Sequence, residues 1–342
     1  MPFLLLALLL VSLAACGGDL PVRKEPLDPI VPSPIARDGN APFEDRVRSI
    51  YNFKPSRISG KDQDLKAGEM DAIWSSVDRN PKALLPLLRK ELQRPDQNPF
   101  FRFDGAQLLL QHSKEPGDLQ LAADAMGQAD LEDVDRMSYF RAAHRVAVGG
   151  ANVWGCVDRI LSDKAFKVFI PQHSLTLDQK SVVISCLLPM KEEHYVSALA
   201  ARLMREQEPT AVKSMLAGLS MAVTPEAQTA LGDFARTTRE SSFRKLAEPL
   251  IRLPSKKDLP GKAEGTREQL FVFLKDLVAR RYDNPAYSFD RFRKGAPHLV
   301  RKEDLPKIRE LRRTHASRVS DEAIEELTYL TTLMKVSLAS ED

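Results

Sequence analysis

The run Pro209-Thr210-Ala211-Val212-Lys213-Ser214-Met215-Leu216-Ala217-Gly218-Leu219 decides the fold, because its pattern returns at a nearly fixed distance. Val212-Lys213, Leu216 and Leu219 map onto Phe243-Arg244, Ala247 and Leu250 at a spacing of 31 residues. A looser copy upstream, Lys180, Val183 and Cys186, maps onto Lys213, Leu216 and Leu219 at a spacing of 33, and Phe101-Arg102 aligns with Phe140-Arg141 at 39. Periods of this length mark supersecondary units that bury their apolar faces by stacking on neighbours.

Around these copies the apolar residues recur every three or four positions, as in Leu84, Leu85, Leu87, Leu88 and Leu92 or Val196, Leu199, Leu203 and Met204. That spacing is helical. Asn80-Pro81 and Asn98-Pro99 each place a capping residue before a proline at the first helical position. Thr176-Leu177-Asp178-Gln179, Thr237-Thr238-Arg239-Glu240 and Thr266-Arg267-Glu268-Gln269 fit the capping box. Phe166-Lys167-Val168-Phe169-Ile170 before Pro171 reads either as a short strand or as an apolar loop over a helix end. Tyr51-Asn52-Phe53-Lys54-Pro55 reads as a loop or a helix end.

The stretches Pro209 to Leu219 and Ser242-Phe243-Arg244-Lys245-Leu246-Ala247 resemble helices of the HEAT-type repeat family, a resemblance that runs from about Pro81 to Leu253. It implies an all-α solenoid of stacked helical hairpins, with an irregular helical bundle as the alternative. The repeat domain is expected over residues 43–253. After Leu253 the run Pro254-Ser255-Lys256-Lys257-Asp258-Leu259-Pro260-Gly261-Lys262 interrupts the pattern, and a C-terminal helical module is expected over 254–342. Its last helix opens at Ser320 and Asp321 and carries Ile324, Leu327, Leu330, Leu333 and Met334 on one stripe, which suits a helix closing the array.

The N-terminus carries a different signal. Met1 to Ala15 holds no charged residue, and its apolar core from Leu4 to Val11 is far shorter than the roughly 20 residues a membrane-crossing helix needs. It fits a signal-peptide core over residues 1–15. Leu13-Ala14-Ala15-Cys16 followed by Gly17-Gly18 resembles the lipobox of bacterial lipoproteins, although Met1-Pro2-Phe3 lacks the usual basic residue. The resemblance implies lipidation of Cys16, cleavage before it, and anchoring in the bilayer by two or three acyl chains. Gly17 stands where an inner-membrane retention signal would place Asp, so the expected location is the outer membrane, facing the periplasm. Residues 16–42 then read as a lipidated cysteine and a disordered tether, with Pro21, Pro26, Pro29, Pro32, Pro34 and Pro42 opposing regular structure.

Fifty basic and 47 acidic residues leave a charge of only +3, which does not suggest a nucleic-acid partner. The balance is uneven, however. From Arg239 to Arg318 there are 21 Lys and Arg against 11 Asp and Glu, and the centre interleaves Arg280, Arg281, Arg291, Arg293 and Lys294 with Tyr282, Tyr287, Phe289 and Phe292. These cations are the candidate binding residues, for anionic lipid or cell-wall material, set against the plainer reading of a solvated helical surface over buried rings.

The motifs HExxH, GxSxG, GxxxxGK[ST], CxxC and GxGxxG are absent, and no cofactor, metal site or catalytic residue is expected. Asp130-Leu131-Glu132-Asp133-Val134-Asp135 lacks the glycine and distal Glu of a calcium loop and reads as an Asp130 N-cap followed by first-turn acids. Cys156 and Cys186 lie 30 residues apart, close to one repeat, and are expected on successive hairpins. Packed helix axes about 8–10 Å apart exceed the roughly 7 Å that a disulfide allows between Cα atoms, so two buried, reduced thiols are expected. The leading functional reading is a lipid-anchored envelope scaffold or adaptor that binds a protein partner through its helical surface. The alternatives are a binder of anionic lipid or cell-wall material through residues 239–318, and an enzyme whose site is assembled from distant repeats.

Overall fold

The computed structural model describes residues 34–49, 60–97, 99–131, 134–170, 175–259, 262–317 and 321–339. The signal segment, Cys16, most of the expected tether and Tyr51 to Pro55 lie outside the described residues. Residues 32–342 form one compact unit. It is built almost wholly of helices, as the 3.6-residue periodicity requires.

The first helices are α1 (Pro34–Arg37), α2 (Phe43–Ser49), α3 (Gly60–Arg79), α4 (Pro81–Leu92), α5 (Pro99–His112) and α6 (Pro116–Gly127). There follow α7 (Arg136–Val148), α8 (Trp154–Ser162), α9 (Gln179–Leu187), α10 (Val196–Leu203), α11 (Pro209–Ala222), α12 (Pro225–Thr237) and α13 (Ser241–Ile251). The single turn α1 packs on α2 and α3, so ordered structure begins before the expected tether ends at Pro42. Two layers of stacked helices follow from the contacts. In the even layer α4 stacks on α2, α6 on α4, α8 on α6 and α12 on α10, while in the odd layer α9 stacks on α7, α11 on α9 and α13 on α11.

The repeat registers fall on this layering. Val183 and Cys186 on α9, Val212, Leu216 and Leu219 on α11, and Phe243 and Ala247 on α13 are buried at matching places in one layer. Phe101 on α5 and Phe140 on α7 are buried as well. Each large apolar side chain sequestered this way contributes about 1.5–3 kcal/mol relative to exposure. In the even layer α6 and α8 meet backbone to backbone: a Cβ added at Gly127 would lie 2.9 Å from Gly155 Cα.

The start signals are only partly realised. Thr266 forms both halves of its capping box with Gln269, and Pro81 and Pro99 open their helices. At the Thr176 signal the cap is instead Asp178, which accepts from Ser181 N at 2.8 Å, because Thr176 and Leu177 belong to a strand. At the Thr237 signal, Thr237 ends α12 and Glu240 precedes α13. Asp135, not Asp130, caps α7, accepting from Ser138 N at 2.8 Å. The strand reading of Phe166 to Ile170 holds over β1 (Val168–Ile170), which pairs antiparallel with β2 (Leu175–Leu177) in the register Val168 to Leu177.

The C-terminal module comprises α14 (Arg267–Ala279), α15 (Phe289–Leu299), α16 (Leu305–His315) and α17 (Asp321–Ala339). Its core gathers Leu270, Phe273, Leu274, Leu277, Phe292, Ile308, Leu330, Leu333 and Met334. Here the structure corrects the expectation that the last helix closes the array. The module packs instead against the odd layer at α9 and α11: Val223 enters its core, and Leu327 and Ala316 pack with Leu188, Ile184 and Met221. Leu327, Leu330, Leu333 and Met334 do form the expected buried stripe on α17, while the side chain of Ile324 lies outside the described residues.

Candidate functional site

The contact between α16 and the odd layer is the most unusual polar arrangement among the described residues. Arg309, Arg312 and Arg313 are spaced i, i+3 and i+4 on α16, so their side chains leave one face of the helix. All three reach Glu192, which sits on the short helical turn Glu192–His194 that follows α9. Arg309 Nε lies 3.1 Å and Arg312 Nη2 3.0 Å from Glu192 Oε1, and Arg313 Nη2 lies 3.5 Å from Oε2. Arg312 is 1 % exposed and Glu192 7 %, so the pair is removed from water.

The same guanidinium groups finish helix α11. Val223, at its C-cap, takes a left-handed φ of 53°, a conformation that costs a β-branched residue roughly 1–2 kcal/mol. Arg309 Nη2 donates to Val223 O at 3.1 Å, and Arg312 Nη1 donates to Met221 O. Two cations thus satisfy carbonyls that the helix leaves open, at the end where its dipole favours positive charge. Lys335 Nζ on α17 reaches Ser220 Oγ at 2.7 Å. Burial, reinforced by Arg312, pulls the Lys335 ammonium down to about 8. Arg312 is also lowered, first by burial, and the buried Tyr195 phenol beside the cluster is pushed up by desolvation and stays neutral.

A second buried group lies at the C-terminal end of α16, one turn beyond Arg312. His315, fully buried, bonds Glu326 on α17, which also accepts from Tyr282 OH and lies 3.6 Å from Arg280 Nε. His144 on α7 donates from Nε2 to Ala316 O at 2.9 Å; burial pulls its pKa down, so it holds the module as a neutral imidazole. The His144 donor on α7, the Glu192 carboxylate on the turn after α9 and the backbone acceptors of α11 therefore run along one seam with α16 and α17.

The five cations singled out in the sequence are not brought together into one site. Arg280 turns toward Glu326, and Arg293 pairs with Glu325 at 3.1 Å while lying over the Tyr329 ring at 5.1 Å. Arg281, Arg291 and Lys294 are exposed. The interleaved rings build the module's core around Phe273, whose centroid is 5.0 Å from Phe289, 5.1 Å from Phe292 and 5.9 Å from Tyr287. The plainer reading of those aromatics is therefore the structural one. Glu192, Arg309, Arg312, Arg313 and Lys335 were not recognisable as a group, because 120 residues separate Glu192 from Arg312 and no spacing rule links them.

Cys156 and Cys186 are buried and unpaired, with burial pushing the Cys156 thiol up to about 12. The expected register fails for this pair, since Cys156 lies on α8 and Cys186 on α9, neighbouring helices of opposite layers. Among the described residues, no three His, Cys, Asp or Glu side chains are placed to hold a metal ion, and no helix is long and apolar enough to cross a membrane. Two open grooves mark the surface, one of about 620 Å³ between α12 and α13 beside Gly232, Arg236 and Arg244, the other of about 710 Å³ beside β1, lined by Asp135, Arg136 and Phe169. No family model matches the chain, and no curated protein and no solved structure matches it.

Proposed function

We propose that this chain is a lipid-anchored scaffold of the bacterial envelope, tethered through Cys16 to the outer membrane on its periplasmic side, that docks a protein partner on the even layer of its helical array. The observation that supports this most is the one-sided placement of the C-terminal module, which is spent on α7, α9 and α11 of the odd layer. The helices α4, α6, α10 and α12 present Lys90, Asp124, Ala201 and Thr229 to solvent. Stacked helical repeats create extended surfaces of this kind, and a rigid surface binds without an ordering cost.

The test is photocrosslinking in intact cells, with a crosslinking amino acid placed at Lys90, Asp124 or Ala201. One common protein adduct from these positions is expected, lost in Cys16→Ser, which is expected to leave the chain unanchored. No adduct from any of them would contradict the docking reading, and unchanged detergent-phase partitioning of Cys16→Ser would contradict the anchor. A second reading, contact with anionic lipid or cell-wall material, draws on the exposure of Arg281, Arg291 and Lys294. It is favoured if lipid or glycan adducts arise from those three positions instead.

A further inference from the structure

The seam between α16 and the array holds more positive charge than its own carboxylates balance. Arg309, Arg312, Arg313 and Lys335 supply four cations, against one buried carboxylate, Glu192. Glu310 approaches Arg313 at 3.2 Å but is mostly solvated, with a side chain 70 % exposed. Tyr195 contributes no charge while its phenol keeps its proton. The donors are also in excess. The Nε–H groups of Arg309, Arg312 and Arg313 are all shielded from solvent and none has a hydrogen-bond acceptor, although Arg309 Nε stands close to Glu192. An unsatisfied buried donor is costly, and guanidinium donors pair best with carboxylate or phosphate oxygens.

The cluster is not sealed. The side chains of Arg309 and Arg313 are 20 % and 23 % exposed, and both reach Glu192, Arg309 at the same oxygen as the buried Arg312 and Arg313 at the other. A small oxyanion approaching between them would meet two half-open guanidinium groups.

We propose that the α16 seam is an oxyanion site that takes a single phosphate group beside Glu192, held by Arg309 and Arg313 with Arg312 beneath them. The phosphate group has two possible sources, free inorganic phosphate and the headgroup of an anionic phospholipid. The site goes beyond the scaffold reading, since it uses residues of the odd-layer contact and not the even face.

The experiment titrates the full chain, purified in detergent, with inorganic phosphate by calorimetry at constant ionic strength, with chloride as the control. In parallel, the chain is tested for binding to phosphatidylglycerol vesicles against phosphatidylcholine vesicles. Saturable binding of one phosphate per chain is expected, weakened at least tenfold in Arg309→Gln/Arg313→Gln and unchanged in Lys164→Gln/Lys245→Gln, at two exposed lysines away from the seam. Should the double variant fail to fold, the single variant Arg313→Gln leaves Arg312 and its helix-capping bonds in place and is expected to weaken binding at least threefold. Glu192→Gln, which removes the competing carboxylate, is expected to tighten it. Vesicle binding that needs Arg309 and Arg313, without binding of free phosphate, would support the site and assign the lipid source. No saturable binding in either arm, or equal binding by parent and Arg313→Gln, would mean an adventitious ion only and would overturn the proposal.

Discussion

Glu192 and Arg312 illustrate how a single pair can be decisive for specificity without being a large source of stability. Desolvating both charges costs several kcal/mol, and their attraction with the added hydrogen bonds roughly offsets it. Removing one partner is another matter. Glu192→Gln leaves three guanidinium groups around a neutral amide and is expected to lower the unfolding free energy by about 3–5 kcal/mol, measured by denaturant titration. Lys335 gives a pH signature. Its ammonium is disfavoured in the folded chain, so below about pH 8 both states hold the proton and the fold bears the full burial cost. Between about 8 and the ordinary lysine value of 10.5 only the unfolded chain keeps the proton, and the stability due to this group rises with pH. Parent minus Lys335→Met is therefore expected to gain roughly 2–3 kcal/mol across that window, whereas a flat difference would contradict the burial of Lys335. At the cysteines, burial raises both thiols. Labelling of the native chain is expected to spare Cys156 and Cys186, and labelling after unfolding without reductant is expected to modify both; a mass two units lower with no labelling would show a disulfide.

At the scale of elements, the crossing of α6 and α8 depends on the absence of two side chains. A Cβ at Gly155 would stand 3.1 Å from Gly127 Cα, and backbone cannot yield as a side-chain end can. Gly155→Ala is expected to destabilise the chain by roughly 1–3 kcal/mol, read as a lower denaturation midpoint, while Gly117→Ala, with nothing near its Cβ, is expected to change little. Much at this scale was legible in the sequence. Helical periodicity and the 31- and 33-residue spacings place α9, α11 and α13 in one layer, because those positions are buried by the same kind of neighbour. Helix starts were less legible: Thr266 met the partner its spacing promised, whereas Thr176 was drawn into the β1–β2 pair and Asp135 took the cap expected of Asp130. Several residues in each stretch were chemically able to cap, and tertiary packing chose among them. The exposed members of the basic group, Arg281, Arg291 and Lys294, gave no sequence sign separating them from Arg280 and Arg293, which α17 engages through Glu326 and Glu325.

For the whole molecule, the course of residues 254–342 was the least legible part. An amphipathic last helix after an array looks like a cap, and an acid at Glu192 looks like any first-turn acid. The contacts of α16 and α17 with α7, the turn after α9 and α11 turn the module back across the odd layer, where Val223, Met221 and Leu188 supply the apolar part of the contact. A seam that combines an apolar core with buried charge couples the two parts, since opening it would expose both at once. Native-state hydrogen exchange of the full chain across sub-denaturing concentrations of denaturant tests this fold-back most directly. Amides of α16 and α17 are expected to merge with those of α9 and α11 into one opening transition of equal free energy. Opening of α14 to α17 at lower denaturant, with α9 and α11 still protected, would contradict it.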